Sequence, residues 1–155
     1  MSARVNVVST KSGARAAILL LVAVVSACSA APQLRAANGQ LAPCAAKRCV
    51  SSVTDQPAYA IAPIRYSGTR EAAQAAMLRI LGAMPGAALQ SHSEDYVHAT
   101  FTTPRMRYID DLELVLPAAE RVIHVRSSSR IGYYDFDTNR ERVEDLRARF
   151  EALQP

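Results

Sequence analysis

Among its 155 residues the sequence has only three cysteines, no internal repeat, no Gly-x-Ser-x-Gly elbow and no apolar run near the length of a membrane span. Each absence excludes something. A spanning helix needs roughly 20 apolar residues, so the chain is not expected to be transmembrane. His92, His98 and His124 show no recognised ligand spacing, and no metal or cofactor is expected. Charge of one sign is also scarce. The chain carries +4 in all, but Arg4, Lys11 and Arg15 belong to its N-terminal segment, and beyond residue 27 there are 15 basic against 14 acidic groups. A balanced domain lacks the basic surface that nucleic acid binding requires.

What is present begins with an address. The basic residues 4, 11 and 15 precede Ala16-Ala-Ile-Leu-Leu-Leu-Val-Ala-Val-Val25, an apolar run of signal-peptide length, which closes on Val25-Ser-Ala-Cys28. That ending is similar to the bacterial lipobox. Residues 1–27 therefore read as a lipoprotein signal, Cys28 as the lipidated residue and 28–43, rich in small residues with Pro and Gly, as a flexible tether. The expected location is the cell envelope, lipid-anchored and facing the periplasm. Ser29 stands where an aspartate would favour inner-membrane retention, which leans toward the outer membrane. In that oxidising compartment Cys44 and Cys49 are expected to close a disulfide, with a thiol activated by Lys47 and Arg48 as the alternative.

Residues 44–155 are long enough for one domain with its own core. Thr69 is a plausible N-cap, Glu71 sits in the first turn, and Ala73, Met77, Ile80, Leu81 and Met84 recur at helical spacing until Pro85-Gly86. Two strands are expected at 87–93 and 96–103, and 59–66 reads as an edge strand or packed loop because of Pro63. Residues 108–116 alternate, placing Asp110, Leu112, Leu114 and Leu116 on one face and Asp111, Glu113 and Val115 on the other. A turn of two or four residues near Pro117 then pairs Leu114 with Ile123, Asp110 with Ser127, Asp111 with Arg126 and Glu113 with His124. Thr138-Asn-Arg-Glu141 reads as a capping box opening a last helix with Val143, Leu146, Phe150 and Leu153 in its stripe. The sum is an α+β fold, an antiparallel sheet of about four strands with two helices packed on one face.

The unusual chemistry lies between the last strand and the last helix. Inward Asp110 requires hydrogen bonds from Ser127, Tyr108 or an amide near Asn139, whereas Asp111 is expected outward with Arg126, so the two carboxylates form a structural polar junction. Arg126, Ser127, Ser129, Arg130, Asp135, Asn139 and Arg140 are the candidate binding residues, for a small anion or a lipid headgroup at the helix N-terminus. A hydrolase using Ser127, Ser128 or Ser129 with His124 and Asp111 is the alternative. No protein partner is specified.

Cys49-Val-Ser-Ser52, Ile61-Ala-Pro63, Tyr108-Ile-Asp-Asp-Leu-Glu113, Arg126-Ser-Ser-Ser-Arg-Ile-Gly-Tyr133 and Asn139-Arg-Glu-Arg-Val143 together resemble the domain of unknown function 1499 family over about residues 41 to 150. The resemblance implies an envelope or organellar setting and no catalytic residue, cofactor or reaction. The chain departs from the family pattern at Lys47-Arg48, where members commonly carry Pro-Asn before the second cysteine.

Overall fold

A computed structural model describes residues 34, 35 and 38–154. The signal segment and Cys28 lie outside the described residues. The elements are β1 (Cys49–Ser51), a 3-10 turn at Pro57–Tyr59, β2 (Ile64–Arg65), α1 (Arg70–Ala83), β3 (Ala87–His92), β4 (Tyr96–Thr102), β5 (Ile109–Val115), β6 (Val122–Ser129) and α2 (Thr138–Glu151). Both helices pack on one face of a sheet ordered β1-β6-β5-β4-β3, all of it antiparallel, as the alternation and helical spacing predict. The sheet has six strands rather than four. The additions are two short segments, β1 and β2, which pair with different ends of β6. The second of them falls within 59–66, read as an edge strand or packed loop, whereas β1 was not expected, and neither is long enough to show a period of two.

Thr69 opens α1 as its position predicts, its hydroxyl accepting from the Ala72 N–H at 3.1 Å. At the other end Gly86 turns the chain into β3 with φ +77°, and a Cβ there would stand 2.9 Å from the Thr102 carbonyl oxygen. Only glycine fits that approach. The helices close over the sheet through Met77, Ile80 and Leu81 from α1 and Val143, Leu146 and Phe150 from α2, against Val97, Leu112, Leu114 and Val125. Leu153, expected in the α2 stripe, lies past the helix end and is exposed.

The β5–β6 register differs from expectation by two residues. Leu114 pairs with Val125, Glu113 with Arg126, Asp111 with Ser128 and Asp110 with Ser129. The connection is longer than four residues because the Leu116 N–H is taken by the Asp95 carbonyl and Val122 and Ile123 are paired with β2. A shift of two keeps every side chain on its face and changes only its partner. The hydrophobic pattern could not distinguish the two registers.

Cys44 and Cys49 are joined as a disulfide, with Cα atoms 5.5 Å apart. Within the stretch expected to be tether, Leu41 is buried, and Arg35 lies over the Tyr96 ring at 5.2 Å and pairs with Asp95 at 2.8 Å.

Phe150 is fully buried where both helices meet the sheet. Phe150→Ala is expected to cost about 3–5 kcal/mol, read as a lower urea midpoint with an unchanged slope.

Candidate functional site

On the helix side of the sheet, one asparagine organises the junction between β6 and α2. The Asn139 amide nitrogen donates to Ser129 Oγ at 3.0 Å, to the Arg48 carbonyl at 3.1 Å and to Asp135 Oδ2 at 2.7 Å. Its oxygen accepts from Ser127 Oγ at 2.6 Å and from Arg142 Nη1 at 2.5 Å. Arg142 continues the network, its Nη2 donating to Asp110 Oδ2 at 2.6 Å while its guanidinium lies 4.7 Å from the centre of the Phe101 ring. Arg48 ties the same region from below, donating to the Ser129 and Gly132 carbonyls. Asp110 is thus inward, as its alternation predicts, but its partner is Arg142 rather than Ser127, Tyr108 or a helix amide.

The start of α2 also differs from the expected capping box. Thr138 is the first helical residue and makes no cap, because Asp137 takes the N-cap place with φ 62°, its carboxylate accepting from the Tyr134 hydroxyl rather than from a helix amide. Asp135 caps instead, its Oδ2 accepting from the Asn139 N–H at 3.0 Å. The left-handed turn at Phe136 and Asp137 is what brings that carboxylate back over the helix end.

The opposite face of the sheet was expected to meet water. It carries a second buried polar layer. Glu113, fully buried, receives Arg126 Nη1 at 3.1 Å, the Tyr96 hydroxyl at 2.8 Å and the Arg35 N–H at 2.6 Å. Asp111 is 3% exposed and bonds His98 Nε2 at 2.8 Å and both Arg130 Nε and Nη2 at 2.9 Å. Asp111 is therefore neither outward in solvent nor the partner of Arg126. Burial, together with the Glu113 carboxylate, pushes the Tyr96 phenol above its ordinary range. Burial would raise the Asp111 carboxyl, but the His98 and Arg130 hydrogen bonds outweigh it and hold the group below its ordinary value.

The candidate binding residues therefore separate into two groups on opposite faces. Ser127, Ser129, Asp135 and Asn139 meet in the junction; Arg126 and Arg130 are spent on Glu113 and Asp111 across the sheet. Arg140 stands apart and donates to the Ala60 carbonyl at 3.0 Å. The hydrolase constellation is likewise dispersed. His124 bonds Ser52 at 3.2 Å, Asp111 bonds His98, and the Ser127, Ser128 and Ser129 hydroxyls bond groups other than histidine.

Beside the junction lies a cleft of about 450 Å³ between the β4–β5 loop, residues 103–108, and the β6–α2 loop, residues 130–137. Met106, Tyr108, Ile131, Tyr134 and Phe136 form its apolar walls, with Asp110 and Ser129 at the strand ends. Met106 and Phe136 are 65% and 81% exposed, an unusual state for large apolar side chains gathered in one place. Arg107, Phe136 and Asp137 are the three non-glycine residues with left-handed φ among the described residues, and all three fall in these two loops. Each such conformation costs on the order of 1–3 kcal/mol and persists only where the surroundings hold it, which makes the loop pair a shaped feature of the fold. Sequence reasoning missed this cleft and missed Arg142. The signal for Arg142 was its position: it shares the helical row of Asn139, Val143 and Leu146, so an arginine on the sheet-facing stripe demanded an acid beneath it.

Asp110→Ala and Asp111→Ala are both expected to cost about 1–3 kcal/mol at pH 7, since each leaves a guanidinium without its acid partner. The Asp111 contribution is in place above the ordinary carboxylate value of about 3.9 and is lost as the pH falls through its lower folded-state value. Urea titrations on the acid side should therefore show the Asp111→Ala deficit shrinking as the pH drops below that point.

No curated protein matches the chain. A family model does, over residues 40–150, and those residues hold the whole sheet and nearly all of both helices. The chain belongs to the family described as protein of unknown function (DUF1499).

Proposed function

We propose that this protein is a binding module of the cell envelope, held to a membrane by a lipid on Cys28, which takes a small ligand into the cleft between residues 103–108 and 130–137. The cleft itself carries this reading. Its walls are large apolar side chains left exposed, its loops hold the left-handed backbone positions, and a bonded polar junction lies beside it. A pocket with apolar walls and a few fixed polar groups is the usual form of a small-molecule site. The three arginines first considered for an anion do not converge on it, which moves the binding site from the guanidiniums to the loops. The anchor rests on the lipobox and would leave the domain free of any need for its own membrane-binding face.

Two measurements test the two halves. The neutral fluorophore N-phenyl-1-naphthylamine should brighten and shift to the blue on binding the protein, and Ile131→Glu on the cleft wall should weaken it at least about tenfold, the worth of one side chain's apolar contact. An unchanged affinity in that variant would place the fluorophore elsewhere and remove the cleft. Mass spectrometry of the membrane-extracted protein should find Cys28 as an acylated N-terminus, and an unmodified Cys28 would remove the anchor.

A further inference from the structure

Asp110 is 2% exposed, and its two oxygens are treated unequally. Oδ2 accepts from Arg142 at 2.6 Å. Oδ1 is out of solvent and has no hydrogen-bond partner among the described residues. A buried carboxylate oxygen without a hydrogen bond is costly, and one in a native structure calls for a partner. Asp110 is also a lining residue of the cleft, so the unbonded oxygen belongs to the side chain that a ligand would meet at the strand end. Three of the nearby donor groups are already engaged. Arg142 is held by Asp110, Ser127 and Asn139, Arg48 by the Ser129 and Gly132 carbonyls, and the Asn139 amide by three acceptors.

The charges around the cleft point the same way. Asp110 and Asp135 are its acidic lining groups, and only the Oδ2 oxygen of Asp135 is bonded, to Asn139. Arg105 is the one basic lining residue, and it is exposed on the loop. An anionic head entering the cleft would lose its water to face the Asp135 carboxylate and an acceptor oxygen of Asp110, with the one basic lining residue at the rim. A head with an O–H or N–H would instead complete Asp110. Because Arg142 already neutralises the Asp110 charge, that head need not be a cation to be held.

Resting on the reading of the cleft as a ligand site, we infer that its ligand carries a hydrogen-bond donor, a hydroxyl or an amine, on an apolar body, with the donor bonded to Asp110 Oδ1 and the body between Tyr108, Ile131, Tyr134 and Phe136. Asp110 is then the residue that sets specificity. It selects against carboxylates and other anions, and against heads that can only accept.

The test is competition against N-phenyl-1-naphthylamine by four compounds with one chain and different heads: decanol, decylamine, decyl methyl ether and decanoate. The full chain is used, with Cys28→Ser so that no acyl group of its own competes. Decanol and decylamine should displace the fluorophore at concentrations at least about tenfold lower than the ether and decanoate, the worth of a hydrogen bond to a charged group. Asp110→Asn should remove that preference. An amide has one acceptor oxygen, which Arg142 requires, so the remaining corner becomes an NH2 that no longer accepts. Equal displacement by all four compounds, or decanoate acting at the lowest concentration, would overturn the donor requirement while leaving the cleft as a binding site. Failure of the fluorophore to bind at all would instead overturn the cleft. If Asp110→Asn does not fold, the four-compound series on the unsubstituted cleft still decides the matter.

Discussion

The contact between α2 and the sheet at Asn139 is the constraint from which the rest of this end of the molecule follows. A single amide side chain satisfies two β6 serines, the Arg48 carbonyl and the capping carboxylate of Asp135, and it does so at a position with no exposure to solvent. Because every donor and acceptor of that amide is used, α2 has one rotation and one height relative to β6. Arg142, one turn further along, then lands on Asp110, and the loop between β6 and α2 must leave the sheet where Asp135 can turn back over the helix. The cleft is what remains between that loop and its neighbour from β4–β5.

Two polar layers lie on opposite faces of the one sheet, and they are not equivalent. The layer beneath the helices includes neutral hydrogen bonds among serine and asparagine, with a single ion pair at its edge. The opposite layer is made of charge: Arg126 against Glu113 directly across the strands, and Arg130 with His98 closing on Asp111. Buried ion pairs contribute little net stability relative to apolar side chains of the same size, but they tolerate no mismatched partner. A two-residue slip, which the hydrophobic face allows equally, would still set acid against base, Glu113 against His124 and Arg126 against Asp111, and what it would give up is the Arg130 pair with Asp111.

That same degeneracy explains what could and could not be read from the residues. The period of α1, its Thr69 cap, the alternation of β5 and the inward direction of Asp110 were all legible, because each is a local pattern with one physical meaning. Strand β1, three residues long, carries no pattern, and the Leu116 N–H that lengthens the β5–β6 connection is taken by a residue twenty-one positions away. Asp111 looked solvent-facing because alternation assigns faces and says nothing of what covers them; His98 comes from within β4 and Arg130 from just past the end of β6. The cleft was illegible for a related reason. Its walls come from two loops whose apolar residues have no periodicity, and Met106, Ile131 and Phe136 read as scattered until the sheet brings them together.

Arg35 sits beside Asp95 and Tyr96, at the end of β4 where that strand begins, whereas the cleft opens beyond Thr102, where it finishes. The length of the strand, about 24 Å at some 3.4 Å per residue, separates the two. Six residues separate Cys28 from Arg35, seven Cα steps that reach at most about 25 Å when drawn straight. An acyl group on Cys28 would therefore hold the domain by its far pole. The cleft would then lie a strand's length away from the point where such an anchor enters the fold.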